Sequence, residues 1–379
     1  MENEVIFYTY GLCTMFYAMM AWIFWRRGSD KLSRLVMILM MIISISLIKD
    51  LFFLHDEMNA KDWNWIMMTA VDMVAEPFYA FILIELCRPG TLSKKMMLCH
   101  EAPFVLLPIL LYITRIETFY DILVAWSAIY GVYYAIWTLI EIPRYHKILK
   151  ERFSYEENIN LNWLRIIMFS FFAILTLWVV DSVIANIYIE SAYMIGSMVI
   201  WMFICSFIYR HESVLSELTV AGTSAKEDMP KDEDINPVDI GIRIEHLMLI
   251  QKAYLNPQIK LSDVAKQIGS NRTYVSNWFN RNRQSSFFDY VNDLRVEFAC
   301  TLLETSDMSL GDISHESGFN SKATFYRLFK KLKGCTPNEF RDKCKNPLIP
   351  NNFYNLRPCF YDLRAIIYTL IKTARAILY

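Results

Sequence analysis

Seven apolar runs fill the first 210 residues, and each is long enough to cross a bilayer as a helix. A hydrocarbon core needs about 20 helical residues. The runs fall at Val5–Trp25, Leu35–Leu54, Trp65–Cys87, Met96–Ile113, Tyr120–Ile140, Trp163–Ile187 and Ala192–Tyr209. Across all 379 residues, 55% are hydrophobic and only 20% charged, which is too apolar for an ordinary cytosolic protein. The first run does not read as a cleavable signal. Acidic residues (MENE) precede it, its core is too long, and the basic "RRG" follows it.

The loops orient the spans. The first loop carries Arg26, Arg27, Lys31 and Arg34, the third Arg88, Lys94 and Lys95, and the fifth Arg144, Lys147, Lys150 and Arg152. The even loops, "HDEMNAKD", "TRIETF" and "IESAY", hold at most one basic residue each. Positive loops stay cytoplasmic, so the N-terminus faces out and everything after the seventh span lies inside. The outer loops are too short to form a domain for a large ligand. A signal reaching this bundle is expected to be a small lipophilic ligand or a partner membrane protein.

Charges within the spans are costly and therefore informative. Lys49 and Asp50 fall near the outer end of span two, Asp72 and Glu76 in the outer half of span three, and Asp181 in the outer part of span six. Asp72 and Glu76 stand four apart, on one face of a regular helix. Pro77 removes a backbone donor and predicts a kink. Three readings fit these five residues: a sensor pocket open to the outside, an internal salt-bridge network, or side chains that snorkel to the headgroups. Glu85, His100 and Glu101 sit near the inner face, but no HExxH or GxSxG spacing accompanies them. No catalytic residue, cofactor or metal is expected.

Eight cysteines occur with no CxxC pair, which argues against a zinc site or a disulfide framework and favours buried, inert thiols. Residues 211–242 have linker composition: Gly, Ser, two prolines and an acidic run. Residues 211–241 hold two Lys/Arg and eight Asp/Glu, whereas residues 242–345 hold sixteen and eleven. The basic block suggests an anionic partner for that block alone.

Within 243–345 a helical pattern repeats. An amphipathic helix is expected over 243–255. "LSDVAKQIG" at 261–269 then matches "LGDISHESG" at 310–318, and "WFNR" at 278–281 matches "LFKK" at 328–331. Ser262 is expected to cap the first short helix, Gly269 to break it and Asn271 to cap the next. Val275, Trp278 and Phe279 share one face of that next helix; Phe325, Leu328, Phe329 and Leu332 form the corresponding stripe in the second copy. Two short helices around a tight glycine turn are helix-turn-helix grammar. A long helix from about Ser286 to Glu304 separates the copies. Its nineteen residues span roughly 28 Å, close to the roughly 34 Å between successive major grooves on one DNA face.

These residues resemble the AraC/XylS family of transcription regulators over Ile244–Lys345. The second motif carries most of the match: Ile313, Gly318-Phe319, Phe325, Phe329-Lys330-Lys331, Gly334, Pro337 and Phe340-Arg341. Phe279, Phe287, Tyr290, Arg295 and Ala299 fit the first. The chain departs from the family at Gln284, where glycine is usual, and at Ser314, where alanine is usual. The resemblance implies a seven-helix, two-lobed domain that sets both recognition helices into the major groove of double-stranded DNA. By position in the motif, base contacts would come from Thr273, Ser276 and Asn277, and from Lys322, Ala323 and Arg327. Arg272, Arg281, Lys330 and Lys331 are placed to anchor phosphates, which position without specifying.

The expectation is therefore an all-α chain. A seven-span transmembrane bundle (1–210) is joined by an acidic linker (211–242) to a cytoplasmic tandem helix-turn-helix domain (243–345). A basic, apolar tail (346–379) either lies on the membrane surface or packs on the domain. Function would be that of a one-component regulator in a bacterial inner membrane, with the bundle as sensor. The partners would be DNA, the lipid bilayer, a second copy in a homodimer, and an unknown small ligand or partner membrane protein. The alternative is a bundle that serves only as a scaffold; the remote one is a membrane enzyme.

Overall fold

The computed structural model describes residues 2–28, 30–53, 63–166, 168, 187–211 and 237–345. Among these residues the chain is all helical, with one isolated antiparallel bridge between Phe153 and Lys260.

The N-terminal part holds α1 (Glu2–Arg27), α2 (Lys31–Phe53), α3 (Trp63–Asp72), a 3-10 turn (Met73–Ala75), α4 (Glu76–Cys87), α5 (Lys94–Thr114), α6 (Thr118–Arg152) and α7 (Ile187–Arg210). Six segments among the described residues are long and apolar enough to cross a membrane; α3, the 3-10 turn and α4 together form one of them. The expected sixth span lies almost wholly outside the described residues, although residues 162–166 begin a helix at its start. One apolar core joins these helices, built around Phe24, Leu39, Phe81, Phe104, Leu123 and Ile142.

The helix α6 is 35 residues long, about 52 Å, while a bilayer needs only about 30 Å of apolar helix. Its excess is the polar C-terminal third, which carries Arg144, Lys147, Lys150 and Arg152. That extension runs to the C-terminal unit. There Lys150 Nζ lies 5.7 Å from the centre of the Phe288 ring, and Phe153 pairs with Lys260.

The C-terminal unit has seven helices among the described residues: α8 (Pro237–Glu245, continued by a π turn His246–Ile250), α9 (Leu261–Gln267), α10 (Arg272–Asn277, continued by a π turn Trp278–Asn282), α11 (Phe287–Thr305), α12 (Leu310–Glu316), α13 (Lys322–Lys333) and α14 (Pro337–Lys345). The first of them begins at Pro237, six residues before the start that periodicity predicts. Two cores divide the unit. Ile244, Met248, Val264, Val275 and Phe279 centre one; Ile313, Phe325, Leu328 and Phe329 centre the other. The linking helix α11 serves both, sending Phe287, Val291 and Leu294 into the first core and Phe288, Ala299 and Leu303 into the second. Alternate faces of one rigid helix thus fix two lobes.

Local chemistry sets the helix ends. Asn271 caps α10 by accepting the Thr273 N–H at 2.9 Å, and Ser286 caps α11 by accepting from Asp289 N–H at 3.1 Å. The expected cap at Ser262 is corrected. Helix α9 starts two residues earlier than a Ser262 cap would set it, at Leu261 after Lys260, because the Asp263 carboxylate reaches back and accepts the Lys260 N–H at 2.9 Å. Leu332, expected in the buried stripe, is 39% exposed. Four cysteines are buried as expected, but Cys99 and Cys344 are exposed and Cys335 half-buried; Cys359 lies outside the described residues.

Candidate nucleic-acid interface

Each helix-turn-helix pair forms around a glycine with positive φ. Gly269 at φ +66° turns α9 into α10, and Gly318 at φ +81° turns α12 into α13. Left-handed backbone favours a residue without Cβ. At Gly318 a second demand applies, since a Cβ would meet Leu255 O at 2.7 Å and Tyr254 O at 2.9 Å. Gly318 is where the second lobe touches the first.

The apolar stripe of each second helix faces its core and turns the polar face outward. Thr273 and Asn277 on α10 are exposed and Ser276 is half-buried; Lys322, Ala323 and Arg327 on α13 are all exposed. Among the expected phosphate anchors, Arg281, Lys330 and Lys331 are exposed and Arg272 is half-buried. Lys331 Nζ lies 3.9 Å from Asp289 Oδ1. On α11, Asp293 is pushed up to about 6 by burial, then by the neighbouring Asp289 carboxylate, while Lys331 pulls the other way.

The seam between the lobes is polar and closed. Arg295, on α11, is 1% exposed. It donates to Tyr254 O (2.8 Å) and Asn256 O (2.7 Å) in the first lobe, and to Asn292 Oδ1 at 3.2 Å. Its other two donations go to Ser154, to the carbonyl at 3.1 Å and the hydroxyl at 3.2 Å. Five neutral oxygens thus meet the five N–H groups of the guanidinium. Burial lowers its pKa to about 9, partly offset by the Glu157 carboxylate.

Sequence reasoning missed Ser154 and its neighbours. The loop 153–161 follows α6 and lies along the second recognition helix. Glu156 Oε2 accepts from Arg327 Nη2 at 2.8 Å. Glu157 Oε1 accepts from Ser321 Oγ at 3.1 Å and from Thr324 Oγ1 at 2.5 Å, at the N-terminal turn of α13. The available signal was a pair of acids, "EEN", following a stretch that is otherwise basic.

The expected sensor residues divide. Lys49 Nζ reaches Asp72 Oδ1 at 2.6 Å and Asp50 Oδ1 at 3.1 Å, and Ser46 donates to the same Asp72 oxygen. Glu76 is not among them and instead accepts from Ser127 of α6. The 3-10 turn Met73–Ala75 separates Asp72 from Glu76. Its tighter winding, three residues per turn, rotates the following residues by roughly 60° relative to an α-helix. Asp181 lies outside the described residues. Tyr10 donates to Glu190 Oε1 at 2.9 Å, a half-buried polar pair that sequence reasoning did not single out. Glu85 is held by Gly90 N–H and Lys31, and His100 Nδ1 bonds the Tyr130 hydroxyl at 2.8 Å. No cluster of three or more metal-ligating side chains occurs among the described residues.

Residues 264–343 match the helix-turn-helix domain family. The HTH-type transcriptional regulator ExsA of Pseudomonas aeruginosa is 35% identical over 106 residues, which is 27% of this chain and 38% of that protein. The probable transcription factor PqrA of Proteus vulgaris is 34% identical over 92 residues, 24% of this chain and 75% of that protein. Among solved structures, the C-terminal domain of the two-component response regulator yesN from Fusobacterium nucleatum matches at 29% identity with a TM-score of 0.25, over 27% of this chain and 96% of that one. The chain thus spans less than two fifths of ExsA but three quarters of PqrA. Through its C-terminal unit, this chain belongs to the AraC-type helix-turn-helix family of transcription regulators.

Proposed function

We propose that the chain is a membrane-held transcription regulator that grips double-stranded DNA with α10 and α13 and takes its signal from the N-terminal bundle. The observation that carries the reading is the continuity of α6, which starts among apolar helices and ends against the lobe seam of the DNA-binding unit. In this reading Asn277 and Arg327 bond base edges, with Thr273, Ser276, Lys322 and Ala323 beside them. Arg272, Arg281, Lys330 and Lys331 hold phosphates. The membrane would be a bacterial inner membrane, with the unit on its cytoplasmic side, a reading that the basic loops support. A homodimer would add avidity by raising the effective concentration of the second reader.

A second reading has its own support. The Lys49 ammonium is already paired with Asp50 and Asp72, which suits an internal ion network and a bundle that serves as scaffold for a partner membrane protein. Asp72→Asn separates the two readings. Loss of signal response with normal insertion supports sensing by this cluster, whereas unchanged regulation supports the scaffold.

The main reading is tested by cross-linking DNA in cells that express the full chain, then separating membranes from the soluble fraction. The expected result is DNA from discrete loci recovered with the membranes, and lost in a variant carrying Asn277→Ala and Arg327→Ala. Recovery only from the soluble fraction would overturn membrane anchoring. Recovery without locus preference would overturn specific recognition.

A further inference from the structure

We propose that the loop 153–161 is an internal competitor for DNA, holding the second recognition helix closed until the bundle withdraws it. The inference rests on the DNA-binding reading of α13.

In helix-turn-helix proteins the N-terminal residues of the recognition helix face the base edges. Helix N-termini and hydroxyl and arginine side chains are the groups that take DNA phosphates. On α13 those groups are engaged. The Glu157 carboxylate sits on Ser321 and Thr324 in the first turn, and the Glu156 carboxylate sits on Arg327 one turn further along. Two anions on the groups that would receive an anionic strand exclude it by volume and by like charge.

The loop is held independently of these acids. Ser154 Oγ donates to Ile259 O at 2.8 Å, and the Ser154 carbonyl accepts from Asn292 Nδ2 at 3.0 Å as well as from Arg295. At its far end Tyr145 donates to Ile159 O at 2.8 Å, and His146 Nε2 accepts the Leu161 N–H at 2.9 Å. The middle of the loop meets the end of the last described bundle helix, where the Asn158 backbone hydrogen-bonds His211. Arg27 of α1 donates to the carbonyls of Ile208, Tyr209 and His211. A shift of α1 against α7 therefore reaches the loop within two contacts.

The contact is displaceable. Arg327 is 55% exposed, and exposed ion pairs hold weakly. A gap of about 240 Å³ lined by His146, Lys150, Glu156, Phe288 and Arg327 admits solvent beside it. The first reader carries Thr273 and Asn277 exposed, so the restraint falls on one head of a two-headed reader. A reader closed at one head keeps weak, general attraction to DNA while losing the paired grip that selects a site.

The test uses the full chain in lipid nanodiscs and a pool of random-sequence duplexes about 40 base pairs long. The variant carries Glu156→Gln and Glu157→Gln. A control carries Glu304→Gln and Glu316→Gln, which changes the net charge equally on exposed positions of the same unit. The acid-loop variant is expected to retain about tenfold more duplex than wild type, within the range of a typical coupling between sites. The control should rise by less than about twofold. Equal retention by wild type and the acid-loop variant overturns the inhibition while leaving DNA binding intact, as does an equal rise in the control. No retention by any form overturns the DNA-binding reading and the inhibition with it. Hydrogen exchange on the wild type gives a second measurement that needs no variant. Saturating duplex should deprotect the amides of Ser154 and Leu161, and unchanged protection there counts against the proposal.

Discussion

Gly318 and Leu255 approach so closely that a Cβ added to Gly318 would stand 2.7 Å from the Leu255 carbonyl oxygen. The neighbour is backbone and cannot swing aside. Gly318 also holds φ +81°, which an L side chain resists. Gly318→Ala should therefore cost about 2–3 kcal/mol, from left-handed strain and a forced separation of the lobes. Hydrogen exchange in residues 310–345 should accelerate about 30- to 150-fold. Wild-type protection in the variant would mean that the lobes are not fixed by this contact.

Gln284 is the opposite case, a side chain where glycine would fit the backbone better. The family usually places glycine after the first recognition helix, and Gln284 adopts φ +50° there. Left-handed backbone costs an L residue about 1–2 kcal/mol, while glycine loses about 0.5–1 kcal/mol in folding entropy. Gln284→Gly should thus gain about 0.5 kcal/mol, read as a higher unfolding midpoint of the C-terminal unit. Gln284→Ala keeps the strain and should change little.

Both glycine positions were legible in the sequence, as were the apolar runs, the two helix-turn-helix copies and the Asn271 cap. Each shows itself locally, through period, spacing or a breaker. The loop 153–161 was not legible, because its meaning depends on partners more than a hundred residues away: Ile259, Asn292, Arg295 and Arg327. Nothing in "FSYEENINL" alone distinguishes a contact from a solvated turn. The Asp72–Glu76 expectation missed for a different reason. It assumed regular α winding, and the 3-10 turn between them changes the face. Ser262 was an acceptable cap by type, but Asp263 captured the Lys260 N–H and moved the cap two residues earlier.

Asp293 gives a pH dependence with a definite sign. Its folded pKa, about 6, lies above the ordinary value of 3.8, chiefly because burial disfavours the charge. The folded state therefore holds this proton more tightly than the unfolded state. The penalty is absent below about pH 4, grows as pH rises through 6, and is fully present above it. A shift of two units corresponds to almost 3 kcal/mol, and partial solvent exposure reduces this to about 1 kcal/mol. Asp293→Asn should stabilise the C-terminal unit by that amount at pH 8 and by nothing at pH 4. An equal effect at both values would remove Asp293 ionisation as the cause.

Arg327 and Lys331 should separate specificity from affinity on the same helix. In the proposed reading the planar fork of Arg327 bonds guanine N7 and O6 together, and such a pair discriminates by about 1–3 kcal/mol. In the same reading Lys331, one turn further along and 62% exposed, meets a phosphate as a point charge. Because Arg327 also holds Glu156, both substitutions belong in the Glu156→Gln, Glu157→Gln background, where the loop no longer competes for the helix. Duplexes retained from a random pool then report preference at each base, and a salt series reports released counterions. Arg327→Ala should flatten the preference at one position. Lys331→Ala should weaken binding evenly across sequences and lower the salt slope by about 1. If both variants lose affinity evenly, with the base preferences unchanged, then α13 reads no base through Arg327, and the acids of the loop guard a phosphate site instead.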